Sequence, residues 1–184
     1  HASERFIGRA VKGMRAQVLI ATKIAGSTYA ALDGGGTASQ LIVKSLEDSL
    51  RALDTDYVDL YQVSPNPRVP AEETLRALDD LVRAGKVREV GCNNYTAWQA
   101  CEAQWVSKTS HLKRFVSAQL PYSMLERDIE RELVPVCAAY DLGILPYYPL
   151  AAGFLTGKYR RDAPPPEGAR LSPGPGRGER WLND

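Results

Sequence analysis

Short apolar, β-branched runs recur along this chain at intervals of roughly 30 residues, the length of a strand–helix–strand unit. They are Val18–Thr22, Tyr57–Val63, Val87–Gly91, Phe115–Leu120 and Ile144–Tyr148. Strands apolar on both faces suit a parallel sheet covered by helices, since neither face then meets water. The intervening stretches have helical spacing. Ser3 is positioned to cap a first helix, with Phe6, Ile7 and Ala10 on one face and Gly13 near its end. Ser39 is positioned to cap a second, where Ile42, Leu46, Leu50 and Leu53 recur. Pro70 precedes a third, whose first turn carries Glu72 and Glu73, favourable to the helix dipole. Its stripe is Leu75, Leu78, Leu81 and Val82, and Gly85 ends it. Thr96 or Asn94 opens a fourth around Trp98, Cys101 and Trp105, the two tryptophans reading as packing residues of one face. A fifth runs from about Arg127 to Tyr140, with Pro135 inside it to kink it or start it late.

Two regions break the rhythm. Residues 27–37 contain Gly34-Gly35-Gly36 and read as a strand-to-helix loop. Residues 163–177, with Pro164-Pro165-Pro166 and Pro173-Gly174-Pro175-Gly176, read as a long mobile loop. The glycine run lacks the Gly-Lys-Ser/Thr ending of a phosphate-binding loop, and no Gly-x-Gly-x-x-Gly follows the first strand. Five strands on this rhythm leave two architectures open, a doubly wound sheet or most of a barrel.

Charge and composition exclude other classes. A formal net charge of +1 over 184 residues offers no general attraction to nucleic acid or an anionic membrane. Apolar runs such as Val18-Leu19-Ile20-Ala21 fall far short of the ~18–20 residues a membrane span needs. His1-Ala2-Ser3-Glu4-Arg5 reads as domain interior rather than a signal peptide. Cys92, Cys101 and Cys137 are odd in number and scattered, which suits a reducing compartment, the cytoplasm. His1 and His111 are the two histidines, so no His-based metal site is expected.

An ordered series of short motifs goes further. Ala21-Thr22-Lys23 is followed by Ser45-Leu46-Glu47-Asp48-Ser49-Leu50-Arg51-Ala52-Leu53 and by Thr55-Asp56-Tyr57-Val58-Asp59-Leu60-Tyr61-Gln62. Glu72-Glu73-Thr74-Leu75, Gly85-Lys86-Val87-Arg88-Glu89-Val90-Gly91, Tyr147-Tyr148-Pro149-Leu150-Ala151 and Phe154-Leu155-Thr156-Gly157-Lys158-Tyr159 complete it. In order and spacing this series resembles the aldo-keto reductase family over nearly the whole chain. The resemblance implies an α/β fold, a (β/α)8 TIM barrel of roughly twice this length that binds NADP(H) without a dinucleotide-binding Rossmann domain. Residues 1–184 are then a single incomplete barrel domain covering about strands 3 to 7, with N- and C-terminal parts absent. Its two open sheet edges invite aggregation, so the sequence is expected to omit part of a longer molecule.

The implied activity is NADPH-dependent reduction of aldehydes or ketones to alcohols by hydride transfer. A tyrosine protonates the carbonyl oxygen, and a lysine ammonium lowers its phenol from a free pKa near ~10. Lys23 matches that lysine. The tyrosine, expected just before His1, and the aspartate lie upstream. The expected histidine should follow Leu60-Tyr61-Gln62-Val63, where Ser64 stands, and the stretch from Tyr61 to Pro70 is about one residue shorter than the family pattern: either Ser64 replaces the histidine, and a serine donates a hydrogen bond but is no imidazole, or the sequence lacks one residue here. Cofactor contacts are implied for Asn94 and Gln119 at the carboxamide, for Asn93 in the same motif where a serine is usual, for Tyr147 stacked on the nicotinamide, and for Tyr148 in place of the usual small serine. Pro149, Leu150, Ala151, Gly153, Leu155 and Lys158 match the pyrophosphate-binding loop, and Arg170 a phosphate of the adenosine half. A small-molecule carbonyl substrate is the expected partner, with no nucleic acid and no membrane, and a homo-oligomer is allowed. The substitution at Ser64, with Asn93 and Tyr148, also admits a second reading: a catalytically impaired relative serving as a cofactor-binding regulatory subunit.

Overall fold

Each apolar run becomes a parallel strand, and each amphipathic stretch the helix that returns the chain to the same end of the sheet. The computed structural model describes residues 1–24, 37–160 and 163–170. The strands are β1 (Ala21–Lys23), β2 (Val58–Val63), β3 (Val87–Asn93), β4 (Phe115–Pro121) and β5 (Gly143–Tyr147). The helices are α1 (Ala2–Ala10), α2 (Ala38–Leu53), α3 (Ala71–Arg83), α4 (Ala97–Thr109) and α5 (Leu133–Tyr140). Among the described residues the strands form one sheet in the order β1-β2-β3-β4-β5, all neighbours parallel. The sheet curls into an open half-barrel: Lys23 on β1 reaches Gln119 on β4 with a 3.1 Å hydrogen bond across the concave side.

Side-chain alternation divides each strand between two environments. On β2 the buried Tyr61 donates its hydroxyl to the Ile42 carbonyl of α2, so it points outward to the helices. Leu60 and Gln62 therefore point to the concave side. The same side holds Gly91, where a Cβ would meet Leu60 Cδ1 at 3.3 Å and Ser117 Oγ at 2.4 Å. The core lies between sheet and helices. Ile42, Leu46, Leu50 and Leu53 of α2 and Leu75, Leu78 and Leu81 of α3 are buried there with Tyr61 and Val63.

Local chemistry explains where the elements begin. Thr37, not Ser39, caps α2, accepting from the Gln40 N–H at 3.2 Å while the Gln40 side chain accepts from the Thr37 N–H. Thr96 caps α4 through the same reciprocal box with Gln99, and Asn94 does not. α1 starts after His1, with Ser3 inside it. α5 starts late, at Leu133, so Pro135 sits in its first turn where a missing N–H costs nothing. Phe6 and Ile7 of α1 are exposed rather than forming its packed face; Gly8 is the buried residue. Trp98 and Trp105 are also exposed, each at 64%, and do not pack in the core. The glycine run at 34–36 lies outside the described residues, as do the last seven residues of the 163–177 loop.

β1 starts at Ala21 rather than Val18 because a carboxylate takes over the lead-in. Asp59 of β2 accepts the Ile20 N–H at 2.9 Å and the Arg15 guanidinium at 2.8 Å. Arg15 also donates to the Val18 and Tyr57 carbonyls, and the Tyr57 ring faces the guanidiniums of Arg15 and Arg88 at 4.0 and 4.3 Å. Burial pushes the Asp59 carboxyl up, but the Ile20 N–H and Arg15 outweigh it and hold it below its ordinary value.

In the full-length protein, Asp59→Ala is expected to cost about 3 kcal/mol, because it leaves Arg15 half-buried without its counter-ion. Urea unfolding reads it, and a loss below about 1 kcal/mol would show the clamp to be dispensable. Since the folded carboxyl is the stronger acid, its contribution is fully present above its ordinary value of 3.8 and is lost as pH falls further. Gly8→Val should lower the thermal midpoint by several degrees, since a Cβ there would sit 2.3 Å from the Leu53 carbonyl oxygen of α2.

Candidate functional site

Parallel strands end together, so the residues at their C-terminal ends share one rim. The register places Lys23 beside Gln62, Gln62 beside Gly91, and Gly91 beside Ser117. Nearer the rim, Asn93 pairs with Gln119, and Pro121 with Tyr147. Lys23, Asn93, Gln119 and Tyr147, from four of the five strands, thus gather at this end of the concave face. Ser64, directly after β2, joins them.

Hydrogen bonds link these side chains into a set. Lys23 Nζ donates to Gln119 Oε1 at 3.1 Å. Asn93 Nδ2 donates to Ser64 Oγ at 3.0 Å. Tyr147 donates its hydroxyl to Asn94 Oδ1 at 2.9 Å. Asn94 has a φ of 57°, a left-handed conformation that asparagine tolerates better than most residues. That turn aims its backbone N–H at the Gln119 carbonyl, 2.9 Å away.

Burial within the set is uneven. Lys23, Asn94 and Tyr148 are exposed; Asn93 is buried, with its Oδ1 atom lacking a partner. Gln62 Nε2 and Ser117 Oγ, deeper on the same face, are buried without partners too. Neither residue was singled out from the sequence. The signal was the alternation itself: counting back from Ser64 along β2 puts Gln62 on its face.

The loop after β5 carries backbone strain. Tyr148, Ala151, Ala152 and Gly153 have φ of 56°, 46°, 56° and 96°. A tyrosine is costly in that region, and such strain collects at ligand-binding segments. The Tyr148 ring stands edge-on to Tyr147, centroids 5.2 Å apart, and the Arg170 guanidinium lies 5.4 Å from it. Lys158 lies over Gly153, where a Cβ would meet its Nζ at 3.1 Å. Pro149 and Leu150 are exposed, Leu155 is half-buried and Ala151 is buried. Among the described residues, no hydrogen bond ties Pro149, Leu150, Ala151, Gly153, Leu155 or Lys158 to the strand-end set.

Other clusters differ in character. A cavity of about 610 Å³ lies between α1, α2 and the end of β1, lined by Glu4, Thr22, Lys44 and Asp48 as well as Lys23. There Thr22 donates to Glu4 at 2.8 Å, and a hydrogen bond from Lys44 holds the Asp48 carboxyl below its ordinary value against desolvation. Cys92 and Cys137 are buried, and burial pushes the Cys92 thiol up to about 12, so it stays protonated. Among the described residues no group of three His, Cys, Asp or Glu could hold a metal ion, and no helix is long and apolar enough to cross a membrane.

Comparison with known proteins follows this geometry. The profile of the aldo/keto reductase family matches residues 1–173. The chain is 36% identical over 171 residues to an aldo-keto reductase of Bacillus subtilis, YhdN, covering 87% of this chain and 47% of that protein. It is 38% identical over 146 residues to the aldo-keto reductase pigE of Monascus ruber, covering 75% of this chain and 43% of the relative. Among solved structures, a thermostable aldo-keto reductase in complex with the inhibitor epalrestat superposes with a TM-score of 0.71 at 34% identity, covering 81% of this chain and 51% of that one. An aldo/keto reductase from Klebsiella pneumoniae, in complex with NADP and acetate, gives a TM-score of 0.70 at 29% identity, covering 88% and 53%. The chain spans about half the length of the relatives it matches.

Proposed function

Because the chain belongs to the aldo/keto reductase family, we propose that the protein it comes from is an NADPH-dependent oxidoreductase reducing aldehydes or ketones to alcohols. The reading rests on the convergence of Lys23, Ser64, Asn93, Asn94, Gln119 and Tyr147 at one rim of the curled sheet. The domain is taken as one unit over residues 1–184, acting in the cytoplasm.

The donor set fits a nicotinamide. A carboxamide offers two N–H donors and an acceptor oxygen, and the site offers the amides of Asn93, Asn94 and Gln119. The buried Asn93 Oδ1 is an acceptor without a partner among the described residues, as a carboxamide N–H requires. When bound, NADPH supplies the hydride. Tyr147 would cover one face of the nicotinamide ring, and Tyr148, edge-on beside it, would narrow the entrance. Pro149, Leu150, Ala151, Gly153 and Leu155 form the strained loop suited to a pyrophosphate, with Lys158 and Arg170 as its cations. Lys23 Nζ would exchange Gln119 Oε1 for the phenol oxygen of the proton-donating tyrosine expected before His1, stabilising its phenolate. The substrate's carbonyl oxygen takes its proton there.

Titrating the full-length protein with NADPH by fluorescence, then adding an aldehyde panel, tests the reading. Binding with aldehyde-dependent oxidation of NADPH is expected, with weaker binding of NADH. Binding without turnover would favour the regulatory subunit, and no binding would sink both. Lys23→Met should lower kcat about a hundredfold while NADPH still binds, because it removes the group that acidifies the proton donor. Tyr147→Leu should weaken NADPH binding about tenfold, the scale of one lost aromatic stack.

A further inference from the structure

We infer that Tyr148 is a positioning residue: its ring holds the Arg170 guanidinium against the loop after β5, set for the dinucleotide phosphate nearer the nicotinamide. This rests on the cofactor reading above. Tyr148 stands where the resemblance places a small serine, and it adopts a φ of 56°. That conformation is unfavourable for a tyrosine and persists only where the surroundings impose it. Two ring contacts do so. Tyr147 meets the ring edge-on, centroids 5.2 Å apart, and the Arg170 guanidinium lies over it at 5.4 Å. Among the described residues the Tyr148 hydroxyl makes no hydrogen bond, so the ring alone carries these contacts.

Arg170 is exposed and, among the described residues, has no carboxylate partner. Attraction to a ring leaves a guanidinium's hydrogen-bonding fork available for an oxyanion, which a phosphate engages through two parallel N–H bonds. Lys158 is arranged alike at the other end of the same turn. Its Nζ lies 5.3 Å from the Tyr159 ring centroid and would meet a Cβ at Gly153 at 3.1 Å. Each cation thus rests on a tyrosine ring beside the strained segment 148–153, and neither is neutralised by a carboxylate among the described residues. Two unneutralised cations on one turn call for an anionic ligand.

The order of contacts says which phosphate. Tyr147 is the ring proposed to cover the nicotinamide, and its hydroxyl is tied to Asn94 at 2.9 Å. Tyr148 and then Arg170 follow it, ring to ring to guanidinium. In the dinucleotide one ribose separates the nicotinamide from its own phosphate, whereas the 2′-phosphate lies beyond, on the adenosine ribose. A guanidinium two contacts from Tyr147 is therefore on the nicotinamide side, not at the adenosine half to which the resemblance assigns it. A serine at this position offers no ring, and Arg170, far along the loop, would lose its anchor.

In the full-length protein, affinities for NADPH, NADH and 2′,5′-ADP would be measured by fluorescence titration for Tyr148→Phe, Tyr148→Ser, Arg170→Ala and the double variant Tyr148→Ser/Arg170→Ala. Arg170→Ala is expected to weaken NADPH and NADH alike by about tenfold, the scale of one charge-assisted phosphate contact. Binding of 2′,5′-ADP, which carries the adenosine-side phosphates alone, should change by less than about twofold and also shows that each variant is folded. Tyr148→Ser should reproduce most of the loss, and Tyr148→Phe, which keeps the ring, should retain full affinity. The double variant should bind no more weakly than Arg170→Ala, because the ring acts through the arginine. Unchanged NADPH affinity in Tyr148→Ser, or losses that add in full in the double variant, would overturn the positioning role. An equal loss for 2′,5′-ADP in Arg170→Ala would overturn the choice of phosphate. If the unaltered protein binds no NADPH, the cofactor reading itself fails and takes the assignment with it, an outcome visible before any variant is made.

Discussion

The carboxylate of Asp59 determines where the rest of the site falls. By taking the Ile20 N–H and the Arg15 guanidinium, it ties the lead-in of β1 to the start of β2. From that clamp the register runs Ala21 to Leu60, Thr22 to Tyr61 and Lys23 to Gln62. A one-residue slip would exchange the faces of every side chain in β1. Lys23 would then point to the helices and Thr22 to the concave side. The three-residue β1 has too few ladder bonds to resist such a slip alone, so an ion pair at the opposite end of the strand helps to place the lysine at the rim.

Much of the fold is legible because its cause is local. The alternation of apolar runs and helical stripes yields five strands and five helices near the expected places among the described residues, with the cap of α4 at Thr96, one of the two expected, and that of α2 at Thr37 instead of the expected Ser39. Thr37 has Gln40 three residues on, whereas Ser39 has Ile42 there, so only the threonine can form the reciprocal box. What failed depended on distant partners. Val18 to Ile20 has the composition of a strand, yet Asp59, far along the chain, claims the Ile20 N–H. Phe6 and Ile7 have helical spacing with Ala10, but α1 meets α2 through Gly8, where the missing side chain lets the backbones close.

The site divides along the same line. Lys23, Asn94, Gln119 and Tyr147 could be named because motif order places them at strand ends, and the structure gathers them. Gln62 escaped notice because it sits within an apolar strand, and nothing in its own neighbourhood says that its amide is buried without an acceptor. Ser64 was visible as a departure from the family pattern, but not its bond from Asn93. Two departures at neighbouring strand ends, Ser64 and Asn93, meet in one hydrogen bond.

That pairing bears on why the rim can vary while the barrel persists. Below the rim, side chains are fixed by packing: Tyr61 and Val63 are fully buried against the helices, and Gly91 has no room for a methyl group beside Ser117. Substitution there costs core contacts. At the rim, Asn93 and Ser64 are held to each other by one hydrogen bond rather than by apolar packing. A smaller residue on one strand is then met by a longer one on the next, with the strands themselves undisturbed.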